Sequence, residues 1–442
     1  MRRRYTTATA SYFVGAVSAR TGDEMSGPAM MLAGFALTGS TATASSLLAG
    51  LNVAAAVGGP LLGAFLDRAS RPGRLLACAL AGYGAGVAVI LLGLGHLPLP
   101  VTVLIAVCTG LLGPALSGGW TAQLPRVVPG DALPRANALD AMTFTTASLA
   151  GPALAGTATE TLGAPTAVAV AVTLIGLATP AAWRLPTAGH RGAAGPGPDS
   201  DEDADARAPM KTRARDGGAG VGSRTRSDGQ ADTGRRAPLT AGLRFIVQRP
   251  ALARATLTSV LCCAAEGMFT ACVPLLGQRA LGGSGRGALL LSCTAVASLA
   301  ANSVLARRPR LIAPDTAIWV GAVIQATALA LAVTTHPAVL VTAALLTGIG
   351  AGPQLTALFA IRHREAPDHL RGQIFTTGAS LKITGFALGA ATAGTIAGHS
   401  LPGALTLASA TAALAAPAYF TVWRGQAEVT LISPSGPRPP HR

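Results

Sequence analysis

Apolar residues in this chain come in long runs, with polar residues confined to short stretches between them. Twelve runs occupy approximately 8–36, 43–66, 75–96, 99–123, 137–160, 164–182, 251–276, 287–305, 315–334, 337–360, 373–397 and 402–423. About 20 apolar residues cross a bilayer as helix, so each run predicts a transmembrane helix. Between the sixth and seventh runs lies 185–237, made of Gly, Pro, Arg, Asp and Ser with almost no large apolar side chain. Such a stretch cannot bury a core and is expected to be a disordered tether, its acidic patch Asp201–Asp205 solvated. The pattern predicts an all-α polytopic membrane protein with four parts. These are a six-helix bundle over 1–184, the linker over 185–237, a second six-helix bundle over 238–423 and a tail over 424–442. Just before run 7, Leu239, Leu243 and Ile246 alternate with Arg244 and Arg249 in a way that predicts a short amphipathic helix on the membrane face.

The two blocks of six look like copies. Gly113-Pro114 in run 4 is echoed by Gly352-Pro353 in run 10, and Arg126 and Arg135 by Arg362 and Arg371. Gly151 to Leu154 is echoed by Gly385 to Leu388, and Asp23-Glu24-Met25 in run 1 by Glu266-Gly267-Met268 in run 7. The shared order and spacing predict a duplicated, pseudo-symmetric architecture, which is common among secondary transporters.

Composition and charge narrow the class. Half the residues are hydrophobic and 12% are charged, against about 25% charged in soluble domains. The net charge of +15 suggests nucleic acid until its distribution is followed. With the N-terminus inside, Arg2 to Arg4, Arg68, Arg71, Arg74, Arg126, Arg135, Arg307, Arg308, Arg310, Arg362, Arg364 and Arg371 all fall on the inner side. The outer loops hold Arg279 and Arg286. That asymmetry predicts both termini in the cytoplasm of a cell membrane, and topology accounts for the basic charge without a nucleic-acid partner. Met1 to Arg4 followed by apolar residues resembles the start of a signal peptide, but cleavage would leave an odd number of spans, so the segment is read as retained. The six cysteines lie inside runs without zinc-like spacing, and the seven histidines are scattered, so no metal and no cofactor is expected.

After run 2 the chain reads Gly63-Ala64-Phe65-Leu66-Asp67-Arg68-Ala69-Ser70-Arg71-Pro72-Gly73-Arg74. This resembles the signature G-x-x-x-D-[RK]-x-G-[RK]-[RK] of the major facilitator superfamily. Gly63, Asp67, Arg68 and Arg71 match, while Ser70 stands for a glycine and Pro72 for a basic residue. Leu124 to Leu139 and Leu239 to Ile246 resemble members that export siderophores, macrolides and other natural products. Gly151-Pro152 with Gly156 is similar to the antiporter motif of proton-coupled exporters, with Ala147 and Ala155 at positions where that motif has glycines. The exporters' usual arginine in run 4 is missing. The resemblance implies twelve helices in two bundles, with runs 1, 4, 7 and 10 lining a central cavity and runs 3, 6, 9 and 12 facing lipid. It also implies that Asp67 braces run 2 against the N-terminus of run 11 as a conformational latch, with Arg68 and Arg71 setting its charge network.

Charges inside the runs mark candidate chemistry: Arg20, Asp23 and Glu24 in run 1, Glu266 in run 7 and Lys382 in run 11. Facing lipid, these would together cost on the order of 12–17 kcal/mol, so they are expected to face a cavity or each other. Arg20, Asp23 and Glu24 fall at spacings that can share one helix face, either as a self-neutralised cluster or as a proton and substrate site. Gly27-Pro28 just beyond is expected to break the helix and bare carbonyls to the cavity. Glu266 is a lone acid in an apolar run. Lys382 is one of two lysines among 34 basic residues, so general composition does not explain it.

The leading expectation is a monomeric secondary transporter that exports small amphiphilic molecules in exchange for protons, with no enzymatic activity. Its partners would be substrate, protons and the lipid bilayer. An importer is the alternative within the class, and a non-transporting sensor or scaffold the alternative outside it. A membrane-embedded enzyme would need a reactive constellation that the sequence does not display.

Overall fold

The structure is a computed structural model and describes residues 2–186 and 238–431. Most of the expected linker, with Asp201–Asp205, and the end of the expected tail lie outside the described residues. The first half contains α1 (Arg2–Thr38), α2 (Thr41–Arg68), α3 (Pro72–Gly93), α4 (Leu99–Gly110), α5 (Gly118–Thr121), α6 (Leu124–Val127), α7 (Leu133–Leu162) and α8 (Ala164–Trp183). The second contains α9 (Ala241–Gln248), α10 (Pro250–Ala280), α11 (Ala288–Arg307), α12 (Pro314–Ala332), α13 (Pro337–Glu365), α14 (Arg371–Ala397) and α15 (Leu401–Leu431).

Local chemistry sets many of the ends. Proline lacks an N–H and has a fixed φ, so it suits the first helical turn. It stands there in α3, α8, α10, α12 and α13. The Ser40 hydroxyl caps α2 by accepting the Thr43 N–H at 3.2 Å. A single residue joins α7 to α8: Gly163, at φ +91°, a conformation open to glycine at no steric cost.

Three sequence expectations change. Run 4 is not one helix but α4, a 3-10 turn at Gly113–Ala115, α5 and α6. Gly110, Gly113-Pro114 and Gly118-Gly119 supply the weak points, because glycine pays backbone entropy in a helix and proline withholds a donor. The helix is also not broken at Gly27-Pro28, since α1 continues through Pro28 to Thr38. Pro28 still leaves the Glu24 carbonyl without its usual i+4 donor. Finally, α13 runs past residue 360 to Glu365 and α15 runs past 423 to Leu431. The short helix before run 7 forms as α9, with Ile246 buried and Leu239 and Leu243 exposed.

Helix pairing repeats between the halves. The pairs α1·α8, α1·α7 and α3·α8 in the first half correspond to α10·α15, α10·α14 and α12·α15 in the second. The first and last spans of each half pack together, as do its first and fifth. The halves meet through α2 with α14 and, in the mirrored position, α11 with α7. By contrast α3, α8, α12 and α15 pack chiefly within their own halves, leaving outer faces rich in exposed apolar side chains such as Leu92, Leu177, Val323 and Leu414. Among the described residues nine helical segments are long and apolar enough to cross a membrane. The segments that fall short, α1, α7 and α14, carry charges or many Thr and Gly, and α7 and α14 lie where the halves face one another.

Candidate functional site

One end of the interface between the halves is tightly sealed. The two carboxylate oxygens of Asp67, at the end of α2, accept the backbone N–H groups of Gly372 at 2.6 Å and Gln373 at 2.8 Å. These are among the first N–H groups of α14, which have no partner inside the helix and sit at its positive pole. Arg126 and His369 lie in electrostatic reach of the same carboxylate. Arg71 takes another place, at the N-cap of α3 beside Trp183.

Above Asp67 the two helices run in backbone contact. The Thr376 hydroxyl donates to the Gly59 carbonyl at 2.6 Å and the Ser380 hydroxyl to the Ala55 carbonyl at 2.6 Å. A Cβ on Gly63 would strike Gln373 and Thr376, and one on Gly59 would strike Thr376 and Ser380. Gly63 of the signature is therefore required by a close approach. The break in run 4 serves the same seal, because Gly118 of α5 lies directly on the backbone of Phe375 and Thr376. In the mirrored contact, Thr145 of α7 and Ser298 of α11 share a hydrogen bond of 3.3 Å. Phe144, Phe359 and Phe375 pack between the two contacts, with ring centres 5.6 and 6.2 Å apart in sequence.

The charges inside the spans do not form one cluster. Arg20 turns away from Asp23 and Glu24 and binds Asp140 of α7 at 2.9 Å, both groups being almost wholly buried, at 2% and 0% exposure. The guanidinium also donates to the hydroxyls of Thr143 and, at 2.8 Å, Thr121, and it lies 3.7 Å from the Phe144 ring centre. Asp140 is saturated in turn by Tyr12 at 3.0 Å and Thr121 at 2.8 Å. The expectation that Arg20, Asp23 and Glu24 share one face is corrected. Successive helical residues are about 100° apart, so Arg20 and Glu24 both reach α7 while Asp23 turns to α3. There its carboxylate accepts the Tyr83 hydroxyl at 2.9 Å.

Glu24 stands between α1 and α7, accepting the Ser148 hydroxyl at 3.3 Å. Gly151 makes that contact possible, because its Cβ position lies 2.6 Å from the Cβ of Glu24. Pro152 follows it in α7, and Gly156, with nothing within 4 Å of its Cβ position, has no comparable packing role. Glu24 is in electrostatic reach of Glu266 on α10, and Glu266 of Lys382 on α14. Lys382 sits just past Ser380, whose bond to Ala55 is near the top of the α2–α14 contact. Glu24, Glu266 and Lys382 thus form an electrostatic series across the halves, with Lys382 just beyond the α2–α14 seal.

Two elements were missed in the sequence. Asp140 lies inside run 5 in plain view, but its partner is 120 positions away, and only the fold joins them. Arg362 was expected in a loop. It is instead 2% exposed in the last turn of α13, with Gly378 leaving room for its guanidinium and the Phe375 ring 5.8 Å away. His363 beside it stacks on the same ring at 4.4 Å.

A family model described as Major Facilitator Superfamily matches residues 12–381 of this chain. The chain belongs to the major facilitator superfamily. It is a multi-pass membrane protein with the superfamily's fold of two pseudo-symmetric bundles. Solved structures of similar shape include a bacterial homologue of the iron transporter ferroportin in an outward-facing state, at TM-score 0.67 and 15% identity over 94% of this chain and 99% of that one. The human organic anion transporter MFSD10 (TETRAN) gives TM-score 0.68 and 16% identity, over 94% and 99%. The transporter FucP in its outward conformation gives 0.61 and 15%, over 95% and 98%. At these identities the likeness is one of fold. An uncharacterized MFS-type transporter, y4rN of Sinorhizobium fredii (strain NBRC 101917 / NGR234), is 32% identical over 112 residues, 25% of each chain. The chain thus spans about a quarter of the length of the curated relative it matches.

Proposed function

We propose that this transporter exports small amphiphilic molecules in exchange for protons, with the sealed end of the interface facing the cytoplasm. The observation that carries the reading is the electrostatic series Glu24, Glu266 and Lys382, which joins the two halves just beyond the seal. Arginines crowd the loops at the sealed end, which orients it inward by the positive-inside rule. The conformation is then outward-facing, with Asp67 latching α2 to α14.

Exchange follows from charge. Glu24 of one half is in electrostatic reach of Glu266 of the other, and Glu266 of Lys382. A cationic group of the substrate, or a proton on one carboxylate, relieves the repulsion between the two acids. Both are not needed together, so each displaces the other. Asp23, held by Tyr83, supports the shape of α1 beside this point. Arg20 and Asp140 tie α1 to α7 as a fixed internal brace, since every oxygen of Asp140 is already engaged. The helices that carry these residues, α1, α10 and α14, are rich in Ala, Gly, Thr and Leu, which suits amphiphilic compounds better than sugars that need many hydrogen-bond partners. The test is counterflow in proteoliposomes of known orientation. Substrate movement against an imposed proton gradient supports export, and movement with it supports the importer.

A further inference from the structure

Far from the central interface, two grooves flank Trp183 where α8 ends against the start of α3. One, of about 270 Å³, is lined by Arg71, Gly73, Arg74, Trp183 and Leu185. The other, of about 540 Å³, runs up the outer face of α8 past Gly176, Thr179 and Pro180 to Trp183 and Arg184. The Arg74 guanidinium lies 5.1 Å from the Trp183 ring centre. Gly73 permits the convergence, because its Cβ position lies 2.6 Å from the Ala182 carbonyl. Three arginines therefore meet at one half-exposed indole, and among the described residues no acidic side chain lines either groove.

We propose that this corner binds an anionic phospholipid, its phosphate between Arg71 and Arg74 and its acyl chain along α8. Charge complementarity selects the ligand: basic pockets between membrane helices hold acidic head groups, and tryptophan settles at head-group depth. The geometry selects a lipid over a free phosphate, since the cationic groove continues around the indole into an apolar one on the outer face of the bundle. The site is independent of the export reading. It also places a lipid at the turn that follows α2, four residues after Asp67.

Native mass spectrometry of the detergent-solubilised protein tests it, with phosphatidylglycerol, phosphatidylcholine and inorganic phosphate as separate probes. Wild type is expected to retain one phosphatidylglycerol in preference to phosphatidylcholine. The double variant Arg71→Gln/Arg74→Gln is expected to weaken that retention about thirtyfold, at about fivefold for each arginine. Arg308→Gln/Arg310→Gln, which removes equal charge from the mirrored loop, should leave it unchanged, and Trp183→Ala should weaken it severalfold. Equal loss in the two double variants, no loss in either, or displacement of the lipid by inorganic phosphate at equal concentration would each overturn the proposal. All the substituted side chains are exposed, so folded protein is expected throughout, and circular dichroism confirms that before each comparison.

Discussion

Replacing Asp67 with Ala should shift the transporter toward opening at its sealed end. The change deletes two hydrogen bonds from a carboxylate to backbone N–H groups, at 2.6 and 2.8 Å. Bonds to charged groups contribute about 1.5–3 kcal/mol each. Asp67 is partly exposed, so water recovers part of each bond, which discounts the pair from about 3–6 to about 2–4 kcal/mol together. At about 1.4 kcal/mol per factor of ten, the ratio of sealed to open forms should fall by about thirtyfold to seven-hundredfold. The rest of the seal remains, since Thr376 and Ser380 still hold Gly59 and Ala55. Asp67→Asn should have a smaller effect, because its amide oxygen can still accept one bond. Spin labels at Ser70 and Asp368, on opposite sides of the seal, report the populations by pulsed electron resonance in a background without native cysteines. A distance distribution in Asp67→Ala identical to that of wild type would refute the latch.

Two further substitutions probe the brace and the approach of α7. Asp140→Ala strands a buried guanidinium and should destabilise the protein by about 3–5 kcal/mol. Arg20→Met/Asp140→Leu should recover most of this in a thermal unfolding series in detergent, and a double variant no more stable than Asp140→Ala would contradict the brace. Gly151→Leu should push α7 off Glu24 and lower stability by about 1–3 kcal/mol, whereas Gly156→Leu, with open space at its Cβ position, should leave the melting temperature unchanged. Equal effects at the two glycines would sink that distinction.

Much of the fold was legible because a bilayer leaves few solutions. Long apolar runs must be helices, because lipid offers no partner for an open backbone. The break in run 4 was less visible, since its composition stays apolar while Gly113-Pro114 and Gly118-Gly119 weaken the backbone. The approach of Asp67 to α14 was implied by the family resemblance of the signature around Gly63, and its physical basis is a carboxylate at the end of α2 meeting the unsatisfied N–H groups at the start of α14. Side-chain partners were not legible. Arg20 has two acids within four residues, yet it binds one on another helix, because α7 and the broken run 4 surround it with Asp140, Thr121 and Thr143. Arg362 read as a loop residue because its run seemed to end at 360. Sequence spacing gives neighbours along a helix, but packing decides which of them face each other.

Proton-coupled exchange is tested most directly by substrate counterflow in proteoliposomes, using a panel of amphiphilic compounds and an imposed proton gradient. Wild type should move substrate against inward-moving protons. Glu24→Gln, Glu266→Gln and Lys382→Met should each slow gradient-driven movement, and at least one acid variant should retain exchange of labelled for unlabelled substrate. Gradient-driven export at the wild-type rate in all three variants, or substrate uptake together with protons, would contradict the account.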